Sequence, residues 1–178
     1  LNVVTADYVA HTNTAIGNTA PTASVGADLH VDSKQMVKAD VQAATVVNNT
    51  GYIGTTVLNT AAYGNVGETT VTEGANLSGG YTQRTAKGTL VKGGTRINSD
   101  GADLGPLTSV QTSAVANSQG IGIEGGGTAS VVLNQNAGGT TQASQSMTFR
   151  YTAGEVDMAS LAVSNTISAV GTTGSTQI

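Results

Sequence analysis

Residues 57–65 read VLNTAAYGN, and the chain returns to this pattern at nearly equal intervals. TADYVAHTN (5–13), SVQTSAVAN (109–117) and DMASLAVSN (157–165) align with it. Their last residues, Asn13, Asn65, Asn117 and Asn165, lie 52, 52 and 48 positions apart. Ala10, Ala62, Ala114 and Ala162 hold one place in every copy, and the residue before each Asn is small: Thr12, Gly64, Ala116 and Ser164. Self-similarity at a fixed period marks arrays in which each unit buries its apolar face against the next. In a strand, alternate residues share a face, so Leu58, Thr60, Ala62 and Gly64 lie together. That face suits a tightly closed interior narrowing toward a corner at Asn65. Asn tolerates left-handed backbone at such a corner, and its amide can bond to turn groups or to the equivalent amides of adjacent coils.

Working outward, the same two-residue alternation runs through 55–58, 69–72, 110–117, 129–133 and 148–152. Glycine clusters at 79–80, 93–94, 125–127 and 138–139, with Asn49-Thr50-Gly51, punctuate these runs as turns do. The nearest helical candidate, 158–169, is weakened by its Thr, Ser, Val and Asn content. The chain is therefore expected to be all-β, a β-solenoid (β-helix) forming one domain over 1–178. Its repeats of about 52 residues fall at 5–56, 57–108, 109–156 and 157–178, the last partial. Fifty residues exceed one narrow coil, so each repeat is expected to make two or three. Eight or nine turns at roughly 4.8 Å give a rod on the order of 40 Å. A second motif, Gly-Gly-x-Thr-Gln, occurs at 79–83 and 138–142, with an echo at 174–177. Leu1 in place of Met, and a pattern still running at both ends, suggest a processed or excised piece of a longer array.

Composition supports a thin body. The 38% apolar fraction is mostly Ala and Val, with one Phe, five Tyr and no Trp, too few large side chains for an ordinary globular centre. Pro occurs twice and β-branched residues abound, the opposite of a disordered chain. A formal charge of −4 with seven scattered Lys and Arg argues against nucleic acid and against an anionic membrane surface. Without Cys, disulfides and thiolate chemistry are excluded. No apolar run of transmembrane length is present.

SAVANSQGIGI (113–123) followed by SVVLNQNAGGTTQA (130–143) resembles the holdfast-anchoring surface proteins of stalked alphaproteobacteria, the holdfast attachment protein D type. The likeness extends over about residues 43–170; the first forty residues, with Asp28-Leu29-His30-Val31-Asp32 and no Thr-Gln-Ala element, depart from it. It implies a protein secreted to the cell envelope that helps fasten a polysaccharide adhesive to the cell. Large secreted adhesins and curli-like fibre subunits share the compositional look.

Chemistry-bearing clusters are few. Asp28, His30 and Asp32 alternate and would share a strand face, where two carboxylates and an imidazole suit a divalent ion. The simpler reading is an outward polar face over inward Leu29 and Val31. Residues 98–103 (NSDGAD) faintly resemble a calcium loop, but Ser109 stands where the bidentate Glu belongs. Gly122–Gly127 lacks the Lys-Ser/Thr of a phosphate loop, and the sequons at Asn48 and Asn76 mean little if the source is bacterial. Neither His11 nor His30 sits in a nucleophile motif, and the acids share no register, so catalytic, cofactor and metal residues are assigned to none. The residues singled out are the structural positions Ala10, Asn13, Ala62, Asn65, Ala114, Asn117, Ala162 and Asn165. The expected function is a non-enzymatic extracellular structural or adhesive protein linking envelope to polymer. Its expected partners are other surface proteins or copies of itself, end to end, and extracellular polysaccharide. The alternatives are a self-assembling fibre subunit and a polysaccharide-active β-helix enzyme.

Overall fold

The computed structural model describes residues 1–152, 154–171 and 176–177, the last pair and residues 100–101 by backbone alone. Nine strands follow one another: β1 (Asn2–Val25), β2 (Leu29–Val37), β3 (Val41–Thr72), β4 (Leu77–Thr85), β5 (Leu90–Ile123), β6 (Ala129–Ala137), β7 (Thr140–Thr152), β8 (Glu155–Gly171) and β9 (Thr176–Gln177). The described residues contain no helix. All pairing is parallel. One sheet runs β1-β3-β5 and continues into β7 and β8, which add to successive halves of β5; the other runs β2-β4-β6-β9. The chain is a parallel β-solenoid.

The expected coil count is not what the pairing gives. Paired residues lie 46 to 52 positions apart throughout, so one repeat makes one wide circuit, not two or three. Columns are at most four residues tall, as in Asn18–Asn65–Asn117–Asn165. Four levels stand on the order of 15 Å high, whereas a 17-residue side such as β8 runs roughly 55 Å. The long dimension lies across the stack, not along it, and the expected 40 Å rod is replaced by a broad, flat coil.

Why a wide coil closes with so few large side chains follows from its cross-section. The Thr60 hydroxyl donates to Thr45 Oγ1 at 2.7 Å, and the Tyr81 hydroxyl donates to Thr69 Oγ1 at 2.9 Å. The long side, 55–72, is thus faced by 41–48 near one end and 77–85 near the other. Small residues let the two walls approach closely: a Cβ on Gly17 would stand 2.9 Å from Val41 Cγ2 and 3.0 Å from Val37 Cγ2. Three apolar clusters fill the gap. One gathers Val47, Ile53, Leu58, Ile97 and Val110; a central one Val37, Val41, Ala62, Val91 and Ala114; the third Val71, Leu77, Tyr81, Ile121 and Ile123. Ala and Gly in the middle and larger aliphatics at the ends fit a body thin at its waist.

Turns are built by stacking as well. At the bend after each long side, Gly26, Glu73, Gly74, Gly125 and Gly126 take φ from 59° to 94°, a region that favours Gly. Asp28 accepts from the Asn76 backbone N–H (2.8 Å) and side-chain amide (3.1 Å), and Asn76 Oδ1 accepts from Thr128 N and Oγ1. Three levels of one turn are tied through side chains in this way.

Candidate functional site

The repeat positions fall partly where expected. Leu58, Thr60 and Ala62 in one level, and Val110, Thr112 and Ala114 in the next, are buried. Ala62 pairs with Ala114 and Ala114 with Ala162; Asn65 pairs with Asn117 and Asn117 with Asn165. The first copy is misplaced. Ala10 pairs with Val57 and Asn13 with Thr60, while Ala15 and Asn18 complete the Ala and Asn columns. Ala-x-x-Asn occurs twice in succession, at 10–13 and 15–18, and the first interval is 47. Asn13 instead donates to the Ala44 carbonyl at 2.8 Å.

The Asn residues are not at a corner. Asn65 and Asn117 sit within long strands, fully buried, and no Asn has positive φ among the described residues. What the small-Asn pair marks is a change of phase. In β5 the even positions 108–116 face inward, and from Asn117 the odd positions Gln119, Ile121 and Ile123 do. Of the two partners expected for these amides, turn groups or equivalent amides, the structure has the second. Asn18 donates to Asn65 (2.8 Å), Asn65 to Asn117 (2.7 Å) and Asn117 to Asn165 (2.8 Å), each through Nδ2 to Oδ1. Asn65 Nδ2 also meets the Arg84 carbonyl of the opposite wall at 3.0 Å.

A second ladder went unread in the sequence. Gln35, Gln83 and Gln135 stack inward, Gln83 donating to Gln35 at 2.8 Å and Gln135 to Gln83 at 2.7 Å. Each also bonds a carbonyl across the interior: Val66, Ser118 and Thr166 respectively. Each Gln follows a ladder Asn by 17 or 18 residues, a spacing that would have revealed it. The Gly-Gly-x-Thr-Gln motif does not mark this column, because Gln142 belongs to a different one, with Gln42 and Lys92. Its echo at 174–177 lies outside the described residues and side chains.

The candidate ion sites come apart. His30 and Asp32 project outward at 3.5 Å from one another, but Asp28 is committed to the turn of the next level. Among the described residues no three His, Asp or Glu converge. In 98–103, Asn98 joins an outer Asn2–Asn48–Asn98 ladder, Ser99 points inward, and Asp103 holds Arg150 in a two-pronged pair at 3.0 Å. The Asp100 side chain lies outside the described residues.

The sequence did not anticipate that Ser78 would stand 3.0 Å from His30 Nδ1, with Asp32 on the other ring nitrogen. A Ser-His-Asp run of this kind needs a shielded carboxylate and free backbone N–H donors for an oxyanion. Here His30 and Asp32 are 67% and 78% exposed, and β4 is paired along both edges. The trio reads as an outward polar patch.

Stacked parallel levels, interior amide ladders and an outer surface of Thr, Asn, Gln and Ser define an all-β protein of parallel strands. No helix among the described residues is long and apolar enough to cross a membrane. The profile of one family, described as holdfast attachment protein D, matches residues 3–178, and the chain belongs to that family. It is therefore a holdfast-related surface adhesion protein. No curated protein and no solved structure is matched.

Proposed function

We propose that the chain is a non-enzymatic, load-bearing piece of the cell exterior that links the envelope to extracellular polymer. The observation that carries this reading is the pair of buried amide ladders. Asn and Gln each offer donor and acceptor, so a column of them bonds level to level along the stack axis. Each level is thereby tied to the next by side chains as well as by the backbone. Such a body resists being peeled apart, as an anchor must. The exposed Ser78-His30-Asp32 patch plays no part. In cells whose adhesive is held by this protein, Asn65→Leu/Asn117→Leu should release the adhesive under shear, while Ser78→Ala and His30→Ala should leave it attached. Loss of anchoring with Ser78→Ala would sink the non-enzymatic reading.

A second reading, end-to-end self-association, rests on open edges. Among the described residues β1 pairs only with β3, and β8 only with β5. Both outer levels expose apolar side chains, among them Tyr8 and Ile16 in the first and Leu161 and Ile167 in the last. Unpaired strand edges invite addition of a further strand. Electron microscopy at rising concentration decides: filaments support the reading, and persistent single particles count against it.

A further inference from the structure

On the outer face of the wall formed by 41–48, 91–98 and 141–148, a depression of about 270 Å³ crosses three levels. Its floor is the column Ala44–Gly94–Ser144, with Lys92 on one flank and Arg96 on the other. Gln42 also lines it, and no lining residue is acidic. Two of the seven cations of a chain with formal charge −4 thus meet in one hollow. Arg96 Nε donates to Asn98 Oδ1 at 2.6 Å, which fixes the guanidinium and leaves its terminal nitrogens for a ligand. Lys92 takes part in neither of the ion pairs found among the described residues.

We infer that this trough binds the carboxylate-bearing sugars of an acidic extracellular polysaccharide. The inference rests on the polymer-linking reading above and gives it a place on the molecule. Four residues of strand separate the flanks, roughly 13 Å, and three levels give a trough on the order of 10 Å long. That admits one or two sugar rings with their chain lying along the stack axis. The guanidinium suits a carboxylate two-pronged and the ammonium as a point charge. Gln42 and Ser144 offer bonds to hydroxyls. The hollow has no structural necessity at Gly94: a Cβ there would meet nothing nearer than Ser144 Oγ at 3.7 Å and Lys92 Cε at 3.9 Å. The fold therefore leaves room at this position that packing does not require to be empty.

The test is retardation of the purified chain in gels containing polygalacturonate or neutral dextran. Polygalacturonate should bind more tightly than dextran, and Lys92→Gln/Arg96→Gln should weaken it about tenfold or more, as expected for loss of two charge-assisted contacts. Gly94→Thr, which fills the floor, should weaken it comparably while leaving the thermal midpoint unchanged. Lys34→Gln/Lys38→Gln, the same charge change elsewhere, should leave binding intact. Equal losses from both double variants, or none from Lys92→Gln/Arg96→Gln, would overturn the site. Dextran binding that no variant alters would overturn the site and leave the polymer-linking reading standing. No retention on any polysaccharide would overturn both.

Discussion

Two buried polar columns on the same long side behave in opposite ways. At one, Asn18, Asn65, Asn117 and Asn165 bond head to tail through all four levels. At the other, nine residues earlier in each strand, Val9, Thr56, Thr108 and Val156 share a column. The hydroxyls of Thr56 and Thr108 are buried there without a partner. Between them, Thr45, Thr60, Thr95 and Thr112 pass hydroxyl bonds across the interior at 2.7 to 2.9 Å. The central members of all three are buried alike, so burial alone does not say what a polar residue contributes. An amide reaches along the axis with both a donor and an acceptor. In these interior columns the Thr hydroxyls bond where the opposite wall brings another hydroxyl within reach.

If that contrast is right, Asn65→Leu should cost most, about 4 kcal/mol by urea or thermal unfolding. It removes the acceptor for Asn18, the donor to Asn117 and the bond to the Arg84 carbonyl together. Gln83→Leu should follow at about 3 kcal/mol, since it strands Gln135 and empties the bond to Ser118. Asn65 bonds the carbonyl of Arg84, the residue after Gln83, so the two sites are neighbours and the double variant should depart from the sum. A loss under 1 kcal/mol in either would show that the ladders are ornament. Thr60→Val should be milder, about 1 kcal/mol, because it interrupts hydroxyl bonds to Thr45 and Thr95 while its shape is kept.

Tyr81 sharpens the comparison through pH. Burial pushes its phenol above the usual value of 10.0, against the lowering effect of its bond to Thr69. The neutral phenol is the form the fold holds. Its contribution is fully present below the unfolded value and is lost as pH rises through the raised folded value. Alkaline unfolding should therefore shift upward in Tyr81→Phe, which cannot ionise. No shift would place the alkaline weakness elsewhere.

The sequence made some of this legible and hid the rest, for physical reasons. Strand parity could be read because Leu58, Thr60 and Ala62 alternate with outward residues, and a two-residue period allows one inward face. The amide ladder was one of the two arrangements expected from the recurrence of Asn65, Asn117 and Asn165. Coil width was not. Scarce aromatics suggested a narrow tube, yet a wide coil closes when its walls approach over Gly17 and Ala62 and polar rows divide its interior. The first copy was misread because circuit length varies. From Asn48 to Thr55 and from Asn98 to Leu107 the corner differs by two residues while the paired flanks stay in register. Equal spacing therefore favoured Asn13 over Asn18. Gln35 and the Lys92–Arg96 trough escaped because their meaning lies in columns, which local motifs do not display.

The smallest expected effect has the opposite sign. Thr56 and Thr108 sit in a column whose outer members, Val9 and Val156, are already Val. Val replaces Thr with nearly the same shape and removes a hydroxyl that the fold buries unpaired. Leaving such a group unsatisfied costs its desolvation, and removing it returns part of that cost. Thr56→Val/Thr108→Val should therefore stabilise the chain, by about 1 kcal/mol, read as a rise in the urea midpoint at unchanged slope. The same replacement at Thr60 is expected to destabilise. Two threonines on one strand face, four residues apart, would then answer one substitution in opposite directions. If both positions lost stability alike, the Thr56 hydroxyl would have a partner, and the division of the interior into bonded and unbonded columns would fall.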